Sequence, residues 1–219
     1  MDKAQLAKIV TEVVIQQLGR GKVDTKPEKA KSEITVGISN RHVHLSQADL
    51  EILFGPKAEL TRFKDLSQPG QFAAEQKVTL VGPKGVIEKV RVLGPVRKVT
   101  QVEISVSDCF KLGVRAPIRD SGDLADSAGL TLVGPKGSVT LKEGAIIAAR
   151  HIHMHPKDAD YFQLKDGDRV NVRCTGPRGV MFSEVLIRVS DKYSLEMHID
   201  MDEANAASLK NGNQVEIIN

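Results

Sequence analysis

From Ile34 onward the chain alternates apolar and polar residues in short runs. They read "ITVGIS", "QKVTLVGP", "VIEKVRVLG", "QVEISV", "SVTL", "RVNVRCTG", "VMFSEVLIRV", "LEMHID" and "NQVEII". Runs of this length, rich in Val and Ile and broken by Gly-Pro turns, predict β-strands. Helical periodicity is confined to short stretches near residues 46–54, 156–163 and 202–209. The pattern predicts a mainly β protein: two small β-barrels capped by short α-helices. The first 21 residues differ. Leu6, Ile9, Val10, Val13, Val14 and Leu18 fall on one stripe of an amphipathic α-helix, which Gly19 or Gly21 can end. Residues 22–33, "KVDTKPEKAKSE", are polar, charged and contain proline, so they read as a linker.

The strand order repeats. A histidine pair, a short helix, a strand, a Gly-Pro turn, another strand and then a strand bearing an acid or histidine occur twice. The first copy runs through His42/His44, "VGPKGVIEKVRVL" and "QVEIS". The second runs through His151/His153, "TGPRGVMFSEVLIRV" and "LEMHID". This order predicts an internal duplication, with Glu103 and His198 at nearly equivalent places. A third "VGPKG", residues 133–137, lies between the copies, so the turn motif alone carries little weight.

Five of the six histidines lie in two stretches, residues 40–55 and 149–164, four of them as the two pairs. Residues i and i+2 of a strand face the same way, with Cα atoms about 7 Å apart. Each pair therefore presents two imidazoles side by side, a compact way to supply two metal ligands. Glu103 and His198 are the natural further ligands. A single such pair is more often a surface or core feature; two copies, each with a later ligand-type residue, favour metal. His155 aligns with Ser46 at the start of the following helix, ahead of Pro156, and reads as a structural cap.

Composition narrows the function. A net charge of +3 suits a small anionic partner. No basic cluster is interleaved with aromatics, which argues against nucleic acid. No apolar run approaches the ~20 residues of a membrane span and no signal pattern opens the chain. Cys109 and Cys174 form neither a disulfide framework nor a C-x-x-C pair. The expected setting is cytoplasmic. No G-x-S-x-G elbow or Walker-type loop occurs, and neither cysteine has the surroundings of a covalent nucleophile.

The segments "GISNRHVHLS", "QPGQFAAE", "GPVRKVTQVEIS", "ARHIHM" and "EMHID" together resemble the phosphate propanoyltransferases, the PduL-type phosphotransacylases. The resemblance covers roughly residues 34–219. It implies transfer of a short acyl group, propanoyl or acetyl, between coenzyme A and inorganic phosphate, with two zinc ions per chain, at donors that also accept other divalent metals such as cobalt or manganese. It implies that His42, His44, Glu103 and His198 hold one ion, and His151 and His153 the other. Arg97 matches the phosphate-binding arginine, whose forked guanidinium suits a phosphate. Ile38, Ser39, Asn40, Lys84, Arg91 and Asn205 match coenzyme A contacts. The implied organisation places residues 41–125 in a central barrel, and residues 34–40 with 126–219 in a second barrel that takes up the first strand. It implies a homodimer, and a helix at 1–21 acting as an encapsulation peptide for a bacterial microcompartment shell protein. A helix docking on its own barrel or on a sister subunit is the alternative for that segment. Two other functions stay open on the residues alone. One is a dinuclear metal-dependent thioester hydrolase using water as nucleophile. The other is a binding module with structural metals, which the lack of a cysteine ligand pair disfavours.

Overall fold

The computed structural model describes residues 33–218, within a compact unit spanning Glu33–Asn219. The expected helix at 1–21 and the linker at 22–33 lie outside the described residues, apart from Glu33 at the linker's end. Fourteen strands and four short helices follow in chain order: β1 (Glu33–Ser39), β2 (His42–Ser46), α1 (Gln47–Phe54), β3 (Arg62–Asp65), β4 (Phe72–Val81), β5 (Val86–Arg97), β6 (Gln101–Glu103) and α2 (Val106–Leu112). Then come β7 (Ile118–Arg119), β8 (Ala128–Val133), β9 (Ser138–Ala148), β10 (His151–Met154), α3 (Pro156–Phe162), β11 (Arg169–Cys174), β12 (Val180–Val189), β13 (Glu196–Asp200), α4 (Met201–Ala207) and β14 (Gln214–Ile218).

The expected mainly β architecture is present as two closed barrels. In the first, β4, β5, β2, β6, β9 and β8 pair in a ring, with β3 on the outside of β4 and β7 against β9. The second closes in the order β1, β13, β10, β12, β11, β14. Alternate strand residues point inward and make two separate apolar cores. One contains Val43, Leu45, Leu80, Val92, Leu132 and Ile147; the other contains Ile34, Val36, Ile152, Val172, Ile187 and Met197. Closure leaves no long unpaired edge in either barrel, because every ring strand has two neighbours.

The boundary between the barrels differs from the expected one at residue 126. Strands β8 and β9 pair with β4 and β6 of the first barrel. Leu130, Leu132 and Ile147 pack into the first core. An alternating run says which face of a strand is buried and nothing about which sheet it joins. The third "VGPKG" is thus the β8–β9 turn of the first barrel. Strand β1 pairs in parallel with β13 and antiparallel with β14.

The duplication is visible in register. β2 pairs in parallel with β5 and antiparallel with β6; β10 pairs in parallel with β12 and antiparallel with β13. Each of these histidine or ligand-bearing strands runs into a capped helix. Ser46, Ser105, His155 and Asp200 are the N-caps, each side chain accepting from a backbone N–H of the first turn. His155 takes the cap role expected of it, accepting from the Lys157 N–H at 3.2 Å with Pro156 in the first turn. Helix α2 was not expected, since "QVEISV" alternates as a strand would. Strand β6 stops at Glu103, and Ser105 with Asp108 forms a capping box that starts the helix.

Candidate active site

Register alone brings the first cluster together. His42 lies opposite Glu103 on β6, and His44 lies opposite Gln101. The two imidazoles are buried, with ring centroids 5.0 Å apart at 89°. His42 Nδ1 is 2.8 Å from the carbonyl oxygen of Asn40, which accepts its proton and turns Nε2 toward Glu103, 3.3 Å away. His44 Nε2 stands 3.9 Å from the other Glu103 oxygen. Ligand atoms of His42, His44 and Glu103 all lie within 4.8 Å of one another, a grouping suited to one metal ion.

The charges are strongly coupled. Burial would raise the Glu103 pKa, but the His42 charge and hydrogen bond, with His44 and Arg97 behind them, hold the carboxyl well below its usual range. Burial also pulls His42 down, and the Glu103 carboxylate more than offsets it, leaving His42 above the usual imidazole value. His44 is lowered by burial and then by the charges of His42 and Arg97.

The second cluster repeats the device. His151 faces His198, and His153 faces Glu196. His151 Nδ1 is 2.8 Å from the Ala149 carbonyl oxygen, the counterpart of the Asn40 contact. The His151 ring lies 4.7 Å from His153 and 5.2 Å from His198; His153 and His198 are 4.8 Å apart. His153 also stacks on Tyr193 at 4.0 Å. Burial, followed by the neighbouring histidine charges, brings His151 down to about 4 and His153 down to about 2. Both imidazoles are neutral at neutral pH, the form that binds metal.

His198 thus keeps company with His151 and His153, where the resemblance had placed it with the first cluster. The reason is pairing: residue 198 is opposite 151 in the same way that 103 is opposite 42. His153 Nδ1 and His198 Nε2 are buried without a hydrogen-bond partner among the described residues. His198 Nε2 is 3.1 Å from a Glu196 oxygen, without the alignment of a hydrogen bond. Unpaired buried polar atoms are costly. Two such nitrogens in a three-histidine cluster fit a site made to receive a cation.

All six candidate ligands line one cavity of about 510 Å³, together with Ile38, Ser39, Asn40, Arg91 and Arg97. Arg97 Nη1 donates to Ser121 Oγ at 3.1 Å. Arg91 Nη1 donates to the Ala74 carbonyl at 2.7 Å, and its guanidinium lies 4.6 Å from the Phe63 ring centroid. Lys84, in the β4–β5 turn, and Asn205, in α4, are exposed and do not line this cavity.

Sequence reasoning missed four participants. Gln101 is buried and donates to Glu103 at 2.6 Å and to Ser121 Oγ at 2.9 Å. Glu196 accepts from Ser67 and, at 3.1 Å, from Gln68. Burial opposes its ionisation, but His198, Ser67 and Gln68 bring its pKa down to about 2. Gln101 and Glu196 each stand two residues before a candidate ligand, on the same strand face. That spacing was the available signal. Ser121 and Tyr193, on connecting segments, carried none.

A profile described as phosphate propanoyltransferase matches residues 35–210. A Thermotoga maritima protein named phosphate propanoyltransferase is 60% identical over 186 residues, covering 84% of this chain and 89% of its own. One of the same name from Rhodopseudomonas palustris is 57% identical over 185 residues, covering 84% and 82%. Another, from Priestia megaterium, is 53% identical over 212 residues, covering 97% and 94%.

Proposed function

This chain belongs to the phosphate propanoyltransferase family, and we propose that it transfers a short acyl group, propanoyl or acetyl, between coenzyme A and inorganic phosphate. The observation that carries the reading is the convergence of two mirrored ligand clusters and Arg97 on one cavity. In the reaction a phosphate oxygen attacks the thioester carbonyl carbon. A C–O bond forms, the C–S bond breaks, and coenzyme A leaves with the electron pair as thiolate.

The donors suit zinc, being imidazoles and a carboxylate with orphaned nitrogens among them. His42, His44 and Glu103 would hold one ion, and His151, His153 and His198 the other. Metal bound there would supply Lewis-acid attraction for the thiolate sulfur and the phosphate oxygens. The chain's own groups do the positioning. The Asn40 and Ala149 carbonyls fix the tautomers of His42 and His151. Gln101 orients Glu103. Arg97 binds the attacking phosphate through its guanidinium fork.

Coenzyme A would lie with its thiol end near Ile38, Ser39 and Asn40. Strand β5 carries Arg97 and Arg91, and its preceding turn carries Lys84. That strand therefore supplies cations from the cavity outward for the cofactor's phosphates, with Asn205 as a further contact. Cys109 and Cys174 are buried free thiols whose pKa values burial raises, and neither lines the cavity. Direct displacement is preferred over an acyl-enzyme for that reason.

The reading extends to residues 1–21 as the segment that binds a microcompartment shell protein, supported by their apolar stripe, and to a homodimer, supported by the resemblance. The enzyme's place would then be inside a microcompartment. Among the described residues no helix is long and apolar enough to cross a membrane. Release of free thiol from propanoyl-CoA, followed with and without phosphate, tests the chemistry. Phosphate-dependent release supports acyl transfer, and phosphate-independent release supports hydrolysis.

A further inference from the structure

Four arginines line the main cavity: Arg41, Arg91, Arg97 and Arg188. Three have partners. Arg41 pairs with Asp108 at 2.8 Å, Arg91 donates to the Ala74 carbonyl, and Arg97 donates to Ser121. Arg188 is half-buried, and its guanidinium makes no hydrogen bond or ion pair with any described residue. Its guanidinium carbon lies 5.9 Å from the centroid of the Tyr193 ring, at the outer limit of a useful cation–π attraction.

Its position is set by the sheet. β12 runs parallel to β10, and Arg188 is the register partner of His153. The corresponding residue of the first barrel, the partner of His44 on β5, is Leu93. The two copies therefore diverge here, an apolar side chain in one and a guanidinium in the other. The added charge also falls where positive charge is already dense. It shares one cavity with Arg41, Arg91 and Arg97. Arg188 and Arg97 cannot neutralise one another. Two guanidiniums lining one cavity, one of them unpaired and half-buried, are a costly arrangement for the free protein, and a bound anion relieves it.

We propose that Arg188 is a second phosphate-binding residue, forming with Arg97 a two-guanidinium clamp on the tetrahedral oxyanion that is inorganic phosphate in one direction and the phosphoryl end of acyl phosphate in the other. The inference rests on the phosphotransacylase reading and adds a residue to it. The clamp then takes one guanidinium from each barrel, Arg97 from β5 of the first and Arg188 from β12 of the second. The diphosphate of coenzyme A offers the same chemistry, and the test separates the two sources.

The test compares wild type, Arg188→Ala and Arg188→Lys as full-length, metal-loaded proteins. Thiol release is measured against phosphate with propanoyl-CoA, and again with S-propanoyl pantetheine, which lacks the nucleotide phosphates. Metal content and calorimetric binding of inorganic phosphate are measured alongside. The expected result is a rise of about ten- to a hundredfold in the KM for phosphate in Arg188→Ala with both thioesters. The metal content should hold, phosphate affinity should fall in step, and lysine should restore part of it. A defect confined to propanoyl-CoA would overturn the proposal and assign Arg188 to the coenzyme. Loss of metal would overturn it in favour of a support role for His153, and unchanged kinetics would overturn it outright. If wild type releases thiol without phosphate, the acyl-transfer reading itself fails. Calorimetry then decides the clamp alone: lost phosphate affinity in Arg188→Ala sustains it, unchanged affinity sinks it.

Discussion

The side-chain amide of Gln101 donates a 2.6 Å hydrogen bond to Oε1 of Glu103. Gln101 is itself fixed, because its carbonyl accepts from the Gly122 N–H at 2.9 Å and its amide also reaches Ser121 Oγ. Ser121 in turn accepts from Arg97. One buried amide thus connects a candidate metal ligand to the candidate phosphate arginine. Gln101→Ala should weaken metal binding by about ten- to a hundredfold, the range for outer partners of metal ligands. Titrating the apoprotein with zinc against a competing chelator measures it; an unaltered affinity would remove Gln101 from the account.

His42→Ala or His44→Ala removes one member of the first cluster, and should cost about one metal equivalent per chain with most of the activity. His155→Ala should keep its metal and lose only ~1 kcal/mol of stability, the value of a helix cap. Elemental analysis and thermal unfolding of these three variants and of His153→Ala provide the check. Metal loss from His155→Ala as complete as that from His153→Ala would contradict the cap assignment.

Much of this was legible in the chain. Period-two alternation marked most of the strands and the two H-x-H pairs, because both depend only on local spacing. Helix α2 was hidden, since "QVEISV" alternates; the Ser105 and Asp108 cap was the better signal. Membership of β8 and β9 in the first barrel was not legible, because Leu130 and Leu132 would bury equally well in either core. The partnership of His198 with His151 could have been deduced by carrying the duplication one step further. Arg188 could not, since its place beside His153 is a fact of strand pairing.

Metal removal should separate fold from function. Both cores are apolar and closed without any of the six candidate ligands. A chelator-treated protein should therefore keep its β-type circular dichroism while losing turnover. Zinc should restore activity and raise the unfolding temperature through preferential binding to the folded state. Loss of the β spectrum on chelation would make the metals structural.

Deleting residues 1–22 should leave turnover of the isolated enzyme nearly intact and abolish association with microcompartment shell protein. Kinetics and co-purification with shell measure the two effects. Collapse of turnover together with stability would make the segment a structural element of the enzyme.

The central claim is that phosphate, held by Arg97, is the acyl acceptor. Initial rates of thiol release from propanoyl-CoA against phosphate concentration, in wild type and Arg97→Ala at equal metal content, test it most directly. The account predicts no release without phosphate, saturation in wild type, and a loss of about ten- to a hundredfold at low phosphate in the variant. Release by wild type in the absence of phosphate would contradict acyl transfer, and an unchanged phosphate dependence in Arg97→Ala would contradict the role given to that arginine.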